Sequence, residues 1–228
     1  MLPNARIYVR PGAHLKVNAT ITGACGSMWG GIVVEGTLFD GSQDTTYQGR
    51  VTVSNTGKIE HARVAIEVMN VNDGTGQLDE LSGGIIAVNS GIFVNNTIGI
   101  RFGSFNSSNN NKSYLAGARF AITDEYRGDS LTTPVFVDLL GIKGLNMVNC
   151  YFQDNRTGCS HASIRAIGVS SFNSGFRITS SQFNNLSIGV DAKELTVFSG
   201  SFRIINSNFY KCYANIRSLD NSAFAISG

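Results

Sequence analysis

Apolar and polar residues alternate in short strings along most of this chain. Phe176 and Ile178, Phe202 and Ile204, and Ile188 and Val190 each flank one small or polar residue. A period of two marks a strand with one face turned inward. No stretch of useful length carries the 3.6-residue period of a helix. Gly and Asn gather between the strings, as at Asn95-Asn96, Asp154-Asn155 and Asn184-Asn185. These residues accept the left-handed backbone of a tight corner.

The strings also repeat. FRITSSQFNNLSIGVD at 176–191 and FRIINSNFYKCYANIR at 202–217 share Phe, Arg, Ile, Ser and Phe at an offset of 26. IAVNSGIFVNNTIGIR at 86–101 fits the same frame at an offset of 90, and LNMVNCYF at 145–152 fits its first half at 31. ARVAI at 62–66 and ARFAI at 118–122 read as two more copies of one strand. Persistent strings at variable spacing predict stacked coils joined by loops of different length. One coil cannot bury its inward Phe and Ile alone, whereas a stack encloses a continuous core. The expected fold is all-β, a right-handed parallel β-helix of about seven coils forming a single domain over 1–228, with a β-sandwich as the alternative.

Composition narrows the function classes. Of 228 residues, 87 are Gly, Ser, Asn or Thr, and charged residues make up only 15%. The net charge is +2 with no long basic run, which gives no electrostatic support for nucleic-acid binding. No apolar stretch reaches the roughly 18 residues of a membrane span, so no membrane insertion is expected. Cys25, Cys150, Cys159 and Cys212 have no paired metal-ligand spacing, so no metal or cofactor is expected; they read as free thiols or one disulfide. Trp29, flanked by glycines, reads as a sugar platform or as a lid over an exposed end of the core.

The repeat frame aligns positions from coil to coil. The residue after each I-G-V-type strand is Glu67, Arg101, Thr123, Ser170, Asp191 and Arg217, all expected to point outward. Coils about 4.8 Å apart would pair Glu67 with Arg101 and Asp191 with Arg217, as a charge ladder or a sugar-binding row. Loops at 70–83, 103–113 and 124–134 are expected to leave one corner side by side. That brings Asp73, Asp79, Glu80, Tyr114, Asp124, Glu125, Tyr126, Arg127 and Asp129 to one surface, where tyrosine faces and charged groups would suit a glycan. Residues 106–113, rich in Asn and Ser, are expected to be mobile.

The coil pattern resembles the right-handed parallel β-helix, or pectin-lyase-like, superfamily. The opening IYVRPGAHLKVNATITGACGSMWGGIVVEG at 7–36 is similar to repetitive surface proteins of the gliding-associated type IX secretion pathway. That resemblance implies a secreted or cell-surface location, and the chain reads as a segment of a longer protein. Enzymes of the superfamily commonly cleave acidic polysaccharides. A lyase would need a base and often calcium, the one setting in which calcium is expected here. A hydrolase would need two or three carboxylates about 5–10 Å apart. The catalytic candidates are Asp124, Glu125, Asp138 and Lys143; the glycan-binding candidates are Tyr114, Tyr126, Arg127, Asp129, Arg101, Asp191 and Arg217. The N-T-D, D-D, G-H-G, R-I-K and W-x-D-H strings of such enzymes are all missing. The expected function is therefore a non-catalytic surface module (adhesin, stalk or glycan binder), with a polysaccharide lyase or glycoside hydrolase as the alternative.

Overall fold

The computed structural model describes residues 1–24, 26–37, 43–71, 78–79, 83–105, 111–129, 131–159, 164–194, 201–220 and 223–227. The short alternating strings become strands of three parallel sheets. Sheet 1 stacks Arg6–Val9, Trp29–Val34, Ala62–Val68, Ile98–Phe102, Val135–Leu140, Ile167–Phe172, Ile188–Glu194 and Ala214–Asp220. Sheet 2 stacks His14–Val17, Arg50–Val53, Ile85–Asn89, Tyr114–Ala116, Lys143–Val148, Gly175–Thr179, Ser201–Ile205 and Ala223–Ser227. Sheet 3 stacks Thr20–Thr22, Lys58–Glu60, Ile92–Val94, Arg119–Ile122, Tyr151–Asp154, Gln182–Asn184 and Asn208–Tyr210. Each coil takes one strand from each sheet in turn. Among the described residues this makes seven full coils and two strands of an eighth, an all-β parallel β-helix. A small antiparallel pair, Asn70–Val71 with Leu78–Asp79, stands outside it.

Inward residues form columns that run the length of the stack. In sheet 3 the column reads Ile21, Ile59, Phe93, Phe120, Phe152, Phe183, Phe209. The five rings stack nearly parallel, with centroids 4.6 to 5.2 Å apart, a spacing close to the rise of about 4.8 Å between strands. The glycine of the I-G-V string answers to this stack. A Cβ on Gly99, Gly168 or Gly189 would stand 2.4, 2.4 or 2.5 Å from a carbonyl of the next coil and press on Phe120, Phe183 or Phe209. The fifth coil has Phe136 where these have glycine, and its ring tilts between Phe120 and Phe152.

The corners between sheets 2 and 3 show how small polar residues close a coil. Ser90, Asn149, Ser180 and Asn206 hold φ between 48° and 58°, and Gly117 takes the same turn at 63°. Each N–H donates to the next coil, to Ala116, Thr179, Ile205, Ser227 and Val148 oxygens respectively. One position later, Ser181 Oγ accepts from Cys150 N and Ser207 Oγ accepts from Ser181 N, at 3.0 and 3.1 Å. Cys150 therefore fills a ladder position, and burial pushes its thiol up to about 12.

The structure departs from the sequence pattern at four points. ARVAI at 62–66 lies in sheet 1, whereas ARFAI at 118–122 falls on sheet 3, so they are not equivalent copies. The residue in register between Arg101 and Ser170 is consequently Asp138, not Thr123. The 124–134 excursion leaves from sheet 3, while 70–83 and 103–113 follow sheet 1 strands, so the three loops do not share a corner. Trp29 is fully buried and donates from Nε1 to Glu60 O at 2.9 Å, making it core, neither platform nor lid.

Candidate functional site

The outward positions of sheet 1 carry one in-register row: Val33, Glu67, Arg101, Asp138, Ser170, Asp191, Arg217. Four candidate site residues, Arg101, Asp138, Asp191 and Arg217, fall in it, with Glu67 and Ser170 where the repeat frame puts them. Arg101 donates from Nε to Asp138 Oδ2 at 2.9 Å and lies 3.5 Å from Glu67. Arg6 approaches the same Glu67 from the first coil at 3.8 Å. Arg217 grips Asp191 with Nε and a terminal nitrogen, at 2.7 and 2.5 Å. The expected Glu67–Arg101 and Asp191–Arg217 pairs both form. Glu67 is only 2% exposed, and burial pushes its carboxyl above the usual carboxylate range against the pull of Arg101 and Arg6.

A second polar cluster forms where sheet 3 turns back to sheet 1. Asp124, Glu125, Tyr126, Arg127 and Asp129 lie in the turn that follows Arg119–Ile122. Asp124 accepts from Thr157 N at 2.8 Å and from Thr157 Oγ at 2.7 Å, which holds its carboxyl below the usual range. Tyr126 shares a hydrogen bond with Thr97 Oγ at 3.0 Å and lies under the Arg156 guanidinium. Asp129 accepts from Leu131 N, a local turn contact.

Behind these stands Asp154, fully buried, which no reading of the sequence marked as more than a corner. It accepts from Arg156 Nε at 3.0 Å, from a terminal Arg156 nitrogen at 2.6 Å and from Ala166 N at 2.8 Å, with Arg165 3.7 Å away. The cluster ties two neighbouring loops together. His61 sits at the same corner two coils before the Asp124 turn, with φ 54°, its side chain buried and Nδ1 without a hydrogen-bond partner among the described residues. Burial and the nearby Arg127 lower its pKa; Lys58 acts the same way, and Glu60 and Glu125 oppose them.

Tyr114 and Lys143 fall on sheet 2, away from both groups. Asp138 and Lys143 are thus divided between two sheets. Tyr114 shares a hydrogen bond with Asn89 at 3.1 Å. Asp73, Glu80 and Cys25 lie outside the described residues, as do 106–110; Ser113 Oγ accepts from Ile86 N, and Asn111 Nδ2 donates to Lys143 O. Cys150, Cys159 and Cys212 are free thiols. Among the described residues no three of His, Cys, Asp or Glu converge on a metal position, and no helix is long and apolar enough to cross a membrane. No protein-family model matches the chain, and no curated protein matches it.

Proposed function

We propose that this chain is a non-catalytic β-helix module of a secreted or cell-surface protein, related to the pectin-lyase-like and type IX-exported surface proteins, that engages glycans through its outer faces. One observation supports the reading most: the charged side chains of sheet 1 are closed against each other. Glu67 and Asp138 both rest on Arg101, and Asp191 rests on Arg217. A general acid or base must be free to exchange a proton with substrate. An outward row of matched charges on a coil stack serves instead as a rigid, polar surface.

The enzyme alternative, a lyase or hydrolase of acidic polysaccharides, would draw on Glu67, whose raised pKa suits a general acid. Its burial beneath Arg101 and Arg6 argues against substrate access. Asp124, held by Thr157, and Asp138, held by Arg101, are similarly engaged. The test is a panel of uronate and neutral polysaccharides, followed by absorbance of unsaturated product and by reducing-sugar release, with calcium present and chelated. The expected result is no turnover, with retention on a glycan array. Turnover that disappears in Glu67→Gln or Asp138→Asn would overturn the reading.

A further inference from the structure

Sheet 2 differs in charge from its neighbours. Its described strands carry His14, Lys16, Arg50, Lys143, Arg177 and Arg203 and not one carboxylate. The corners joining it to sheet 3 are also free of Asp and Glu. Sheet 1 by contrast balances every arginine of its row with an acid.

Tyr114, Asn146, Arg177 and Arg203 occupy one outward column on four successive coils. All four are exposed. Arg177 and Arg203 therefore stand one coil apart, about 4.8 Å between backbones. Neither joins an ion pair among the described residues. Like charges placed directly opposite on a sheet destabilise it. Beside them the neighbouring outward column offers Gly175 and Ser201, so the floor next to the two guanidiniums is shallow, and Lys143 in register with Gly175 adds a third cation.

We infer that the outer face of sheet 2 over coils four to seven binds an anionic polysaccharide, with one carboxylate or sulfate bridging Arg177 and Arg203. The planar guanidinium fork donates two parallel hydrogen bonds to such an oxyanion. An anion between the two arginines converts their repulsion into attraction, so the arrangement is most favourable when occupied. Two coils from Arg177, roughly 10 Å by the strand spacing, Tyr114 offers an exposed ring to a further sugar, and Asn146 supplies an amide between. The chain's net charge is only +2 with no long basic run, which offers little attraction to the dense charge of a nucleic-acid backbone.

The inference rests on the glycan-binding reading above and narrows it to a face and a charge class. The test is affinity electrophoresis of the whole chain in gels containing a carboxylated polymer, a sulfated polymer, a neutral glucan or single-stranded DNA. It compares the unaltered protein with Arg177→Gln/Arg203→Gln and with Arg119→Gln, an exposed position on sheet 3. Circular dichroism checks that each variant keeps its fold. Retardation by a carboxylated or sulfated glycan, weakened at least about tenfold in the sheet 2 variant and unchanged in Arg119→Gln, is expected because two charge-assisted contacts are lost. Preference for the carboxylated or the sulfated polymer then identifies the oxyanion. Retardation by the neutral glucan alone, indifferent to the arginines, overturns this inference and leaves the glycan-module reading standing. Equal retardation by DNA overturns the ligand class. No retardation by any glycan overturns both.

Discussion

Two buried titratable residues give the fold opposite responses to pH. His61 holds its imidazole neutral, because burial and Arg127 disfavour the cation. The unfolded chain binds the proton more readily, so the stability His61 contributes is present above its ordinary 6.5 and is lost as pH falls toward the depressed value. Asparagine occupies the equivalent left-handed corner at Asn95 and Asn185, so His61→Asn fits the backbone without a titrating group. Thermal melts between pH 7 and 5 should show the unaltered protein losing more melting temperature than His61→Asn; equal slopes would exclude His61 as the source. Glu67 runs the other way. Its folded pKa is raised, so protonation favours the fold, completely below 4.5 and progressively less as pH rises through the raised value. At neutral pH its charge depends on Arg101. Arg101→Met should therefore cost about 2–3 kcal/mol by leaving a buried carboxylate with only the more distant Arg6, while Glu67→Gln should change stability by less than about 1 kcal/mol. Chemical denaturation of the two variants and their combination checks this, the combination being less harmful than Arg101→Met alone.

At the scale of strands and corners, the aromatic column and the glycines opposite it form one packing unit. Phe152→Ala in the middle of the stack should cost about 3–5 kcal/mol, because it leaves Phe120, Phe136 and Phe183 facing a void. Gly168→Ala should cost about 1–3 kcal/mol by overpacking, since its Cβ would meet Gly189 O and the Phe183 ring. Equilibrium unfolding of both variants tests the claim that the glycine serves the ring. Much of this unit was legible in the sequence: offsets of 26, 31 and 90 align Phe93, Phe152, Phe183 and Phe209 as the structure does. ARVAI and ARFAI misled because period-two alternation is the same in every sheet. Only distance from a corner tells sheets apart, and that depends on loop length. Asp138 was consequently missed in its row and Thr123 put there instead. The environment of His61 was illegible for a related reason, since Glu125 and Arg127 reach it from a loop two coils later. Arg177 and Arg203 were visible as a coincidence within the repeat, but only the register turned that coincidence into adjacent charges.

The molecule as a whole is nearly one-dimensional, because each coil is held chiefly by the coils on either side. Burial along the columns shows where that support weakens. In sheet 3, Phe183 is fully buried and Phe209 only half so; in sheet 1, Val190 is buried and Ile216 half-buried. In sheet 2, Ile204 is 1% exposed and Ile226, its partner in the next coil, 58%. Opening the last described strands therefore uncovers little apolar surface that is not already wet, whereas opening the middle coils breaks the ring stack on both sides. Native-state hydrogen exchange should show protection highest in Arg119–Ile122, Tyr151–Asp154 and Gln182–Asn184 and lowest in Ala214–Asp220 and Ala223–Ser227. Phe209→Ala should accordingly lower global stability less than Phe152→Ala, while accelerating exchange in the last coils alone. Uniform protection, or equal losses from the two substitutions, would mean that the stack unfolds as a single cooperative block, and that coupling between coils exceeds the differences in burial from one coil to the next.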